Sequence, residues 1–110
     1  MKVNIHTHHP KNDELTLSTI GIHPYDSEGA GTDSIFAIER AVAGYDAVGE
    51  IGLDFVCSAD KAHQSLIFQA QLEVAQKAGK GVVLHCVKAF EKVMDILKNY
   101  SLKFVIFHGF

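Results

Sequence analysis

Four histidines and one glutamate stand in or at the ends of apolar runs, where their spacing could hold divalent cations. Val3-Asn4-Ile5-His6-Thr7-His8 delivers two imidazoles, Gly81-Val82-Val83-Leu84-His85 a third, and Lys103-Phe104-Val105-Ile106-Phe107-His108 a fourth. In Ala47-Val48-Gly49-Glu50-Ile51-Gly52-Leu53-Asp54, Glu50 lies mid-run and Asp54 closes it. Side chains alternate along a strand with a period of two, so His6 and His8 share a face and Thr7 points away. A carboxylate inside an apolar strand is costly unless compensated, and its two oxygens can serve two cations. Five ligands exceed the roughly three that a catalytic zinc takes. His6, His8, Glu50, His85 and His108 therefore read as a two-metal set, with Glu50 as bridge and catalytic residue. One carboxylate neutralises two dications poorly, so a further acidic ligand is expected, and no strand-end aspartate remains downstream.

Other residues have two readings each. Asp54 shares the parity of Glu50 and either holds an imidazole or water behind the ligands, or caps the following loop. His23 and Tyr25 either line a substrate pocket or only shape the turn at Pro24. Lys88 either attracts a phosphate as a point charge or opens a helix in solvent. His63 reads as a solvated helix residue, and Cys86, opposite in parity to His85, as buried packing.

The elements that must position these groups follow from hydrophobic period and punctuation. Strands are expected at 2–6, 15–22, 46–53, 81–86 and 103–108. Thr32 or Asp33 can cap a helix with Ile35, Ile38 and Val42 on one face, and Gly44 is placed to end it in a left-handed turn. Ser58 or Asp60 can start a long helix to Lys77, with Leu66, Ala70, Val74 and Ala78 on one row and Gly79 after it. A third helix is expected near 89–98, where Phe90, Val93, Met94 and Leu97 keep helical spacing. Continuously apolar strands alternating with helices indicate a parallel sheet covered on both faces. The fold class is α/β, a partial barrel of about five mostly parallel strands with three helices, in one domain over residues 1–110. The link from His8 to Leu15 is too short for a parallel crossover of at least about 10 residues. Either a strand–helix unit is absent there, or the first two strands are not neighbours. A closed barrel takes about eight strands, so the chain reads as the N-terminal portion of one, cut off after the fifth strand.

Composition narrows the function classes. With 110 residues and a formal charge of −3, the chain lacks the broad basic field of a dedicated nucleic-acid binder. Any anionic substrate must be gripped locally. No apolar stretch approaches the roughly 18 residues of a membrane span. Two cysteines, Cys57 and Cys86, form no framework, which suits a cytoplasmic setting.

Taken with Gly21-Ile22-His23-Pro24, Gln64 with Phe68 and Gln71-Leu72, His85-Cys86 and Phe107-His108-Gly109-Phe110, these motifs make the chain resemble the TatD family of metal-dependent hydrolases. Gly49-Glu50-Ile51-Gly52-Leu53-Asp54 is the most specific block. The resemblance implies a TIM-type barrel with two divalent ions, Zn, Mg or Mn. His6 and His8 would hold one, His85 and His108 the other, and Glu50 would bridge. It also implies phosphodiester hydrolysis, as in deoxyribonucleases, by water activated between the metals. The sequence departs from the family at Tyr25, where a second histidine is frequent, and at Val87-Lys88, where arginine is common. The family's late strand-end aspartate has no counterpart here. An amidase or lactonase of the same barrel superfamily is the alternative enzyme, and a non-catalytic truncated chain that self-associates through exposed strand edges is the alternative outside catalysis.

Overall fold

The computed structural model describes residues 17–108 in full and the backbone of residues 3–6. His8 lies outside the described residues. The chain forms strand β1 (Val3–His6), β2 (Thr19–Ile20), helix α1 (Thr32–Ala41), β3 (Ala47–Asp54), α2 (Lys61–Ala78), β4 (Gly81–Val87), α3 (Phe90–Leu97) and β5 (Val105–His108). All five strands join one sheet in the order β1-β5-β4-β3-β2, and every pairing is parallel.

β3 and β4 hold the centre because almost every residue in them is apolar or glycine, and nearly all are buried. Behind them Phe68 and Leu72 of α2, Val93 and Leu97 of α3 and Ile38 of α1 complete one core with Val48, Ile51, Leu53, Val82, Leu84 and Phe107. Burying each such side chain contributes roughly 1.5–3 kcal/mol. β1 and β2 occupy opposite edges of the sheet, which resolves the short link between them: they are not neighbours.

Local signals decide where the elements end, in several places differently from expectation. Within the described residues the run expected at 15–22 pairs only at Thr19 and Ile20, because the chain turns into a 3-10 helix, Pro24–Gly29, that proline opens. The N-cap of α1 is Gly31 rather than Thr32 or Asp33. Gly44 is not left-handed; α1 tightens into a 3-10 turn, Val42–Gly44, and the Tyr45 amide donates back to Val42 at 3.0 Å. α2 starts at Asp60, whose carboxylate accepts from the His63 amide at 2.8 Å, and ends at left-handed Gly79. Its buried face carries Gln64, Ile67, Phe68, Gln71, Leu72, Val74 and Ala75. Of the row led by Leu66, Val74 alone is buried in the core; Leu66 is 65% exposed and Ala78 is exposed. Reading apolar residues alone discounted the stripe that contains two glutamines.

Three features of β3 lie within two residues of Glu50. The β3–β4 register pairs Gly49 with Val83 and then Ile51 with Leu84, which leaves Glu50 as the extra residue of a bulge. The Gly49–Glu50 peptide is cis. Gly52, opposite His85, has φ +146°, and a Cβ there would run into the His85 carbonyl.

The start of β2 is tied to β3 by Ser18 and Asp46. Asp46 accepts from the Ser18 amide at 2.9 Å and its hydroxyl at 3.2 Å, while the Asp46 amide donates to the Ser18 carbonyl. The Ser18 amide, then its hydroxyl, holds the Asp46 carboxyl below its ordinary range, with a smaller contribution from Lys80.

Gly52→Ala is expected to destabilise the fold by at least about 2 kcal/mol, because strained backbone adds to a backbone clash, read as a lower urea midpoint. Asp46→Asn tests the edge tie. A depressed carboxyl contributes stability that is present above the unfolded-state pKa of about 3.9 and lost as pH falls through the folded value. The urea midpoints of wild type and variant should therefore differ at pH 7 and converge toward pH 3.

Candidate metal centre

The middle of β3, the C-terminal parts of β4 and β5 and the turn after β2 bring Glu50, His85, His108 and His23 together. This is the end of a parallel sheet where side chains converge and loops leave room for a ligand. Glu50 stands out from the bulge. Its Oε2 lies 2.7 Å from Nδ1 of His108. Its Oε1 lies 3.9 Å from Nδ1 of His85 and 4.0 Å from Nε2 of His23. The two oxygens thus face different imidazoles. The ligand atoms of His23, Glu50 and His85 all fall within 4.8 Å of one another, close enough for one ion.

Asp54 holds His85 from behind. Its Oδ2 is 2.9 Å from His85 Nε2, while Oδ1 accepts from the amides of Val56 and Cys57, each at 3.0 Å. Both readings of Asp54 made from sequence are thus present in its contacts. Burial pushes its carboxyl up, but the His85 ring and the Cys57 and Val56 amides together outweigh it, so the group is held below its ordinary range. A carboxylate at Nε2 accepts the proton carried there, and Nδ1 is the nitrogen left facing Glu50. The same aspartate raises the phenol of Tyr25.

His23 joins the cluster through local turn structure. It is the N-cap of the Pro24–Gly29 turn, and its Nδ1 accepts from the Tyr25 amide at 3.1 Å, which turns Nε2 toward Glu50. Its ring lies 4.3 Å from that of His85, centroid to centroid. Burial first, then the neighbouring His85, lowers the His23 pKa against the pull of Glu50, Asp26 and Asp54. Low basicity keeps an imidazole nitrogen available for a cation. Three imidazoles and a carboxylate are a donor set that suits Zn, Mn and similar divalent ions.

The remaining candidates fall as follows. Tyr25 is 60% exposed and sets its ring edge-on to His23 at 4.3 Å, above the cluster. Lys88 is exposed with φ 54° and lines a cleft of about 600 Å³ with Phe55, Cys86, Phe90 and Lys92, apart from Glu50 and the histidines. Cys86 is buried in the core, opposite in direction to His85. His6 ends β1, in register with His108. His63, read as solvated, sits half-buried with Nε2 3.1 Å from the Ala30 carbonyl, tying α2 to the start of α1. The sequence offered His23 as a pocket residue and not as a ligand. Its signal lay in the proline that follows, which makes it a cap and thereby aims the ring. The resemblance groups His85 with His108, whereas here they face different oxygens of Glu50, and His23 stands with His85.

Known proteins are similar to this chain in sequence and in fold. The profile of the family described as TatD related DNase matches residues 3–110. A protein of Erwinia tasmaniensis named 3'-5' ssDNA/RNA exonuclease TatD is 34% identical over 98 residues, covering 84% of this chain and 38% of its own length. A human protein named as a 3'-5' RNA nuclease is 31% identical over 94 residues, covering 80% of this chain and 12% of its own length. The crystal structure of YJJV, a TatD homologue from Escherichia coli K12, superposes with a TM-score of 0.77 at 28% identity, over 84% of this chain and 38% of that one. The chain therefore has the fold of part of that barrel and spans a little over a third of the bacterial relatives' length.

Asp54→Asn keeps the size of the side chain and an acceptor for the Val56 and Cys57 amides but removes the charge behind His85. Divalent-ion affinity, measured by calorimetric titration with Mn²⁺ or Zn²⁺, is expected to fall about 10–100-fold.

Proposed function

The chain belongs to the TatD related DNase family, and from that premise we propose that its cluster hydrolyses phosphodiester bonds of nucleic acid with two divalent ions. The supporting observation is the geometry of Glu50, with one oxygen toward His23 and His85 and the other toward His108. Such a carboxylate is arranged to bridge. His85 and His23 would hold one ion with Oε1, and His108 the other with Oε2. His6, whose backbone is in register with His108, would complete that second position together with His8.

Zinc, magnesium or manganese bound there supplies Lewis-acid activation of water and stabilises charge on the attacked and leaving oxygens. The protein's part is to fix the donors. Glu50 sets the spacing of the two positions, Asp54 keeps His85 in the tautomer that presents Nδ1, and Tyr25 offers an exposed ring beside the cluster. Water adds to phosphorus, the ester bond to the departing oxygen breaks, and that oxygen leaves with a proton from solvent. The named activities of the relatives favour single-stranded DNA or RNA as substrate, gripped at phosphate. Lys88 would attract a flanking phosphate.

Free thiols at Cys57 and Cys86 accord with a reducing, cytoplasmic setting. Among the described residues no helix is long and apolar enough to cross a membrane. Among the described residues β1 and β2 each pair on one side only, so their outer edges are where the chain would meet another strand.

The test is hydrolysis of end-labelled single-stranded DNA and RNA by the purified chain with Mg²⁺, Mn²⁺ or Zn²⁺. Chelation should abolish turnover, and Glu50→Gln should slow it at least about a hundredfold, on the scale of losing one charge-stabilising group. No cleavage of any phosphodiester with any of the three ions would sink the proposal.

A further inference from the structure

Gln64 and Gln71 lie two turns apart on the same face of α2, and both are fully buried, at 1% and 0% exposure. Leucine would fill either place with less cost, since a buried amide is unfavourable unless its polar atoms are matched. Each is matched by the main chain of a single residue. Gln71 Oε1 accepts from the Ile22 amide at 2.6 Å, and its Nε2 donates to the Ile22 carbonyl at 3.2 Å. Gln64 Oε1 accepts from the Asp54 amide at 2.8 Å, and its Nε2 donates to the Asp54 carbonyl at 2.9 Å. The spare donors go to Ile67 and Ala59 carbonyls.

Accepting from the N–H and donating to the C=O of one residue is what a neighbouring strand does in a hydrogen-bonded pair. A neighbour is wanting at both places. β2 pairs with β3 only at Thr19–Ile20 against Ala47–Val48, so among the described residues no strand pairs with Ile22 or with the β2 side of Asp54. Ile22 immediately precedes His23, and Asp54 carries the oxygen that holds His85.

We propose that Gln64 and Gln71 are positioning residues, surrogate strand neighbours through which α2 fixes the backbone at Asp54 and before His23, and so sets the imidazoles of His85 and His23 before any ion binds. This rests on reading the cluster as a metal centre. It adds that the centre is preorganised from the outer helix and not by the sheet alone. An amide clamp costs little flexibility at the site, because Gln64 and Gln71 are held on a rigid element.

Two measurements on the metal-free full chain test it. In wild type, the Ile22 and Asp54 amides should exchange with solvent at least about a hundredfold more slowly than unstructured amides; fast exchange at either would overturn the clamp. The second uses Gln71→Met and Gln64→Met, which keep length and lose the amide. Imidazole resonances should move most at His23 in the first variant and most at His85 in the second, with Mn²⁺ affinity falling about tenfold in each. Lowered melting temperatures with unmoved imidazole signals and unchanged Mn²⁺ affinity would assign both residues to packing alone and overturn the proposal. None of these readouts uses turnover. An inactive wild type with protected amides and residue-specific shifts would sink the hydrolytic reading and leave the positioning role standing.

Discussion

A carboxylate set in the middle of a buried strand is the constraint on which the rest of this structure depends. Glu50 is flanked by Gly49 and by Ile51, which is 0% exposed, in a strand whose other residues are buried. A charge in that position is tolerated only where polar groups converge on it. The bulge turns it out of the pairing register, and three imidazoles from three other segments meet it. Those segments must end level with one another, which parallel strands in fixed register accomplish. Gly52 lets β3 and β4 approach directly opposite His85, where any side chain would push them apart. The apolar core thus serves to hold these four segments at one height.

Electrostatics then divides the work between the two acidic residues. Glu50 is about a third exposed and faces imidazole nitrogens with both oxygens. Asp54 is nearly buried and spends one oxygen on His85 and the other on two loop amides. Its hydrogen bonds outweigh the cost of burial, so it remains a carboxylate. An ionised Asp54 fixes the His85 tautomer, which in turn decides which nitrogen faces Glu50. The chain of cause therefore runs from loop amides through Asp54 to the donor atom of His85.

Much of this was legible in the sequence, for identifiable reasons. The apolar runs ending in His85 and His108 announced parallel strands and the end at which the site lies. Glu50 was conspicuous as a charge among aliphatic residues, and Gly79 after a long helical period marked the end of α2. What was not legible depended on partners distant in sequence. The buried face of α2 was misread because its two glutamines look like surface residues until Ile22 and Asp54 are seen beside them. Gly44 carried the usual sign of a left-handed stop, yet the chain there closed a 3-10 turn and needed no positive φ. His23 was legible as a turn residue, but its approach to His85 required knowing that the segment after β2 lies over β3 and β4. The edge positions of β1 and β2 were one of two solutions to a short link, and only the sheet order decides between them.

The order of strands also explains why these side chains can converge in a chain that spans only 38% of the Erwinia tasmaniensis relative. His23 follows β2, and Glu50, His85 and His108 belong to β3, β4 and β5, which are consecutive neighbours in the sheet. Every contact among these four residues is between adjacent or next-adjacent segments, and α2 braces the two least supported places from outside. The geometry of this cluster is therefore set locally. A metal site built from strands on opposite sides of a barrel would need closure to bring its ligands together. One built along a continuous stretch of sheet needs only register, a bulge that frees the carboxylate, and buried polar groups that hold the loop-side backbone where no strand does.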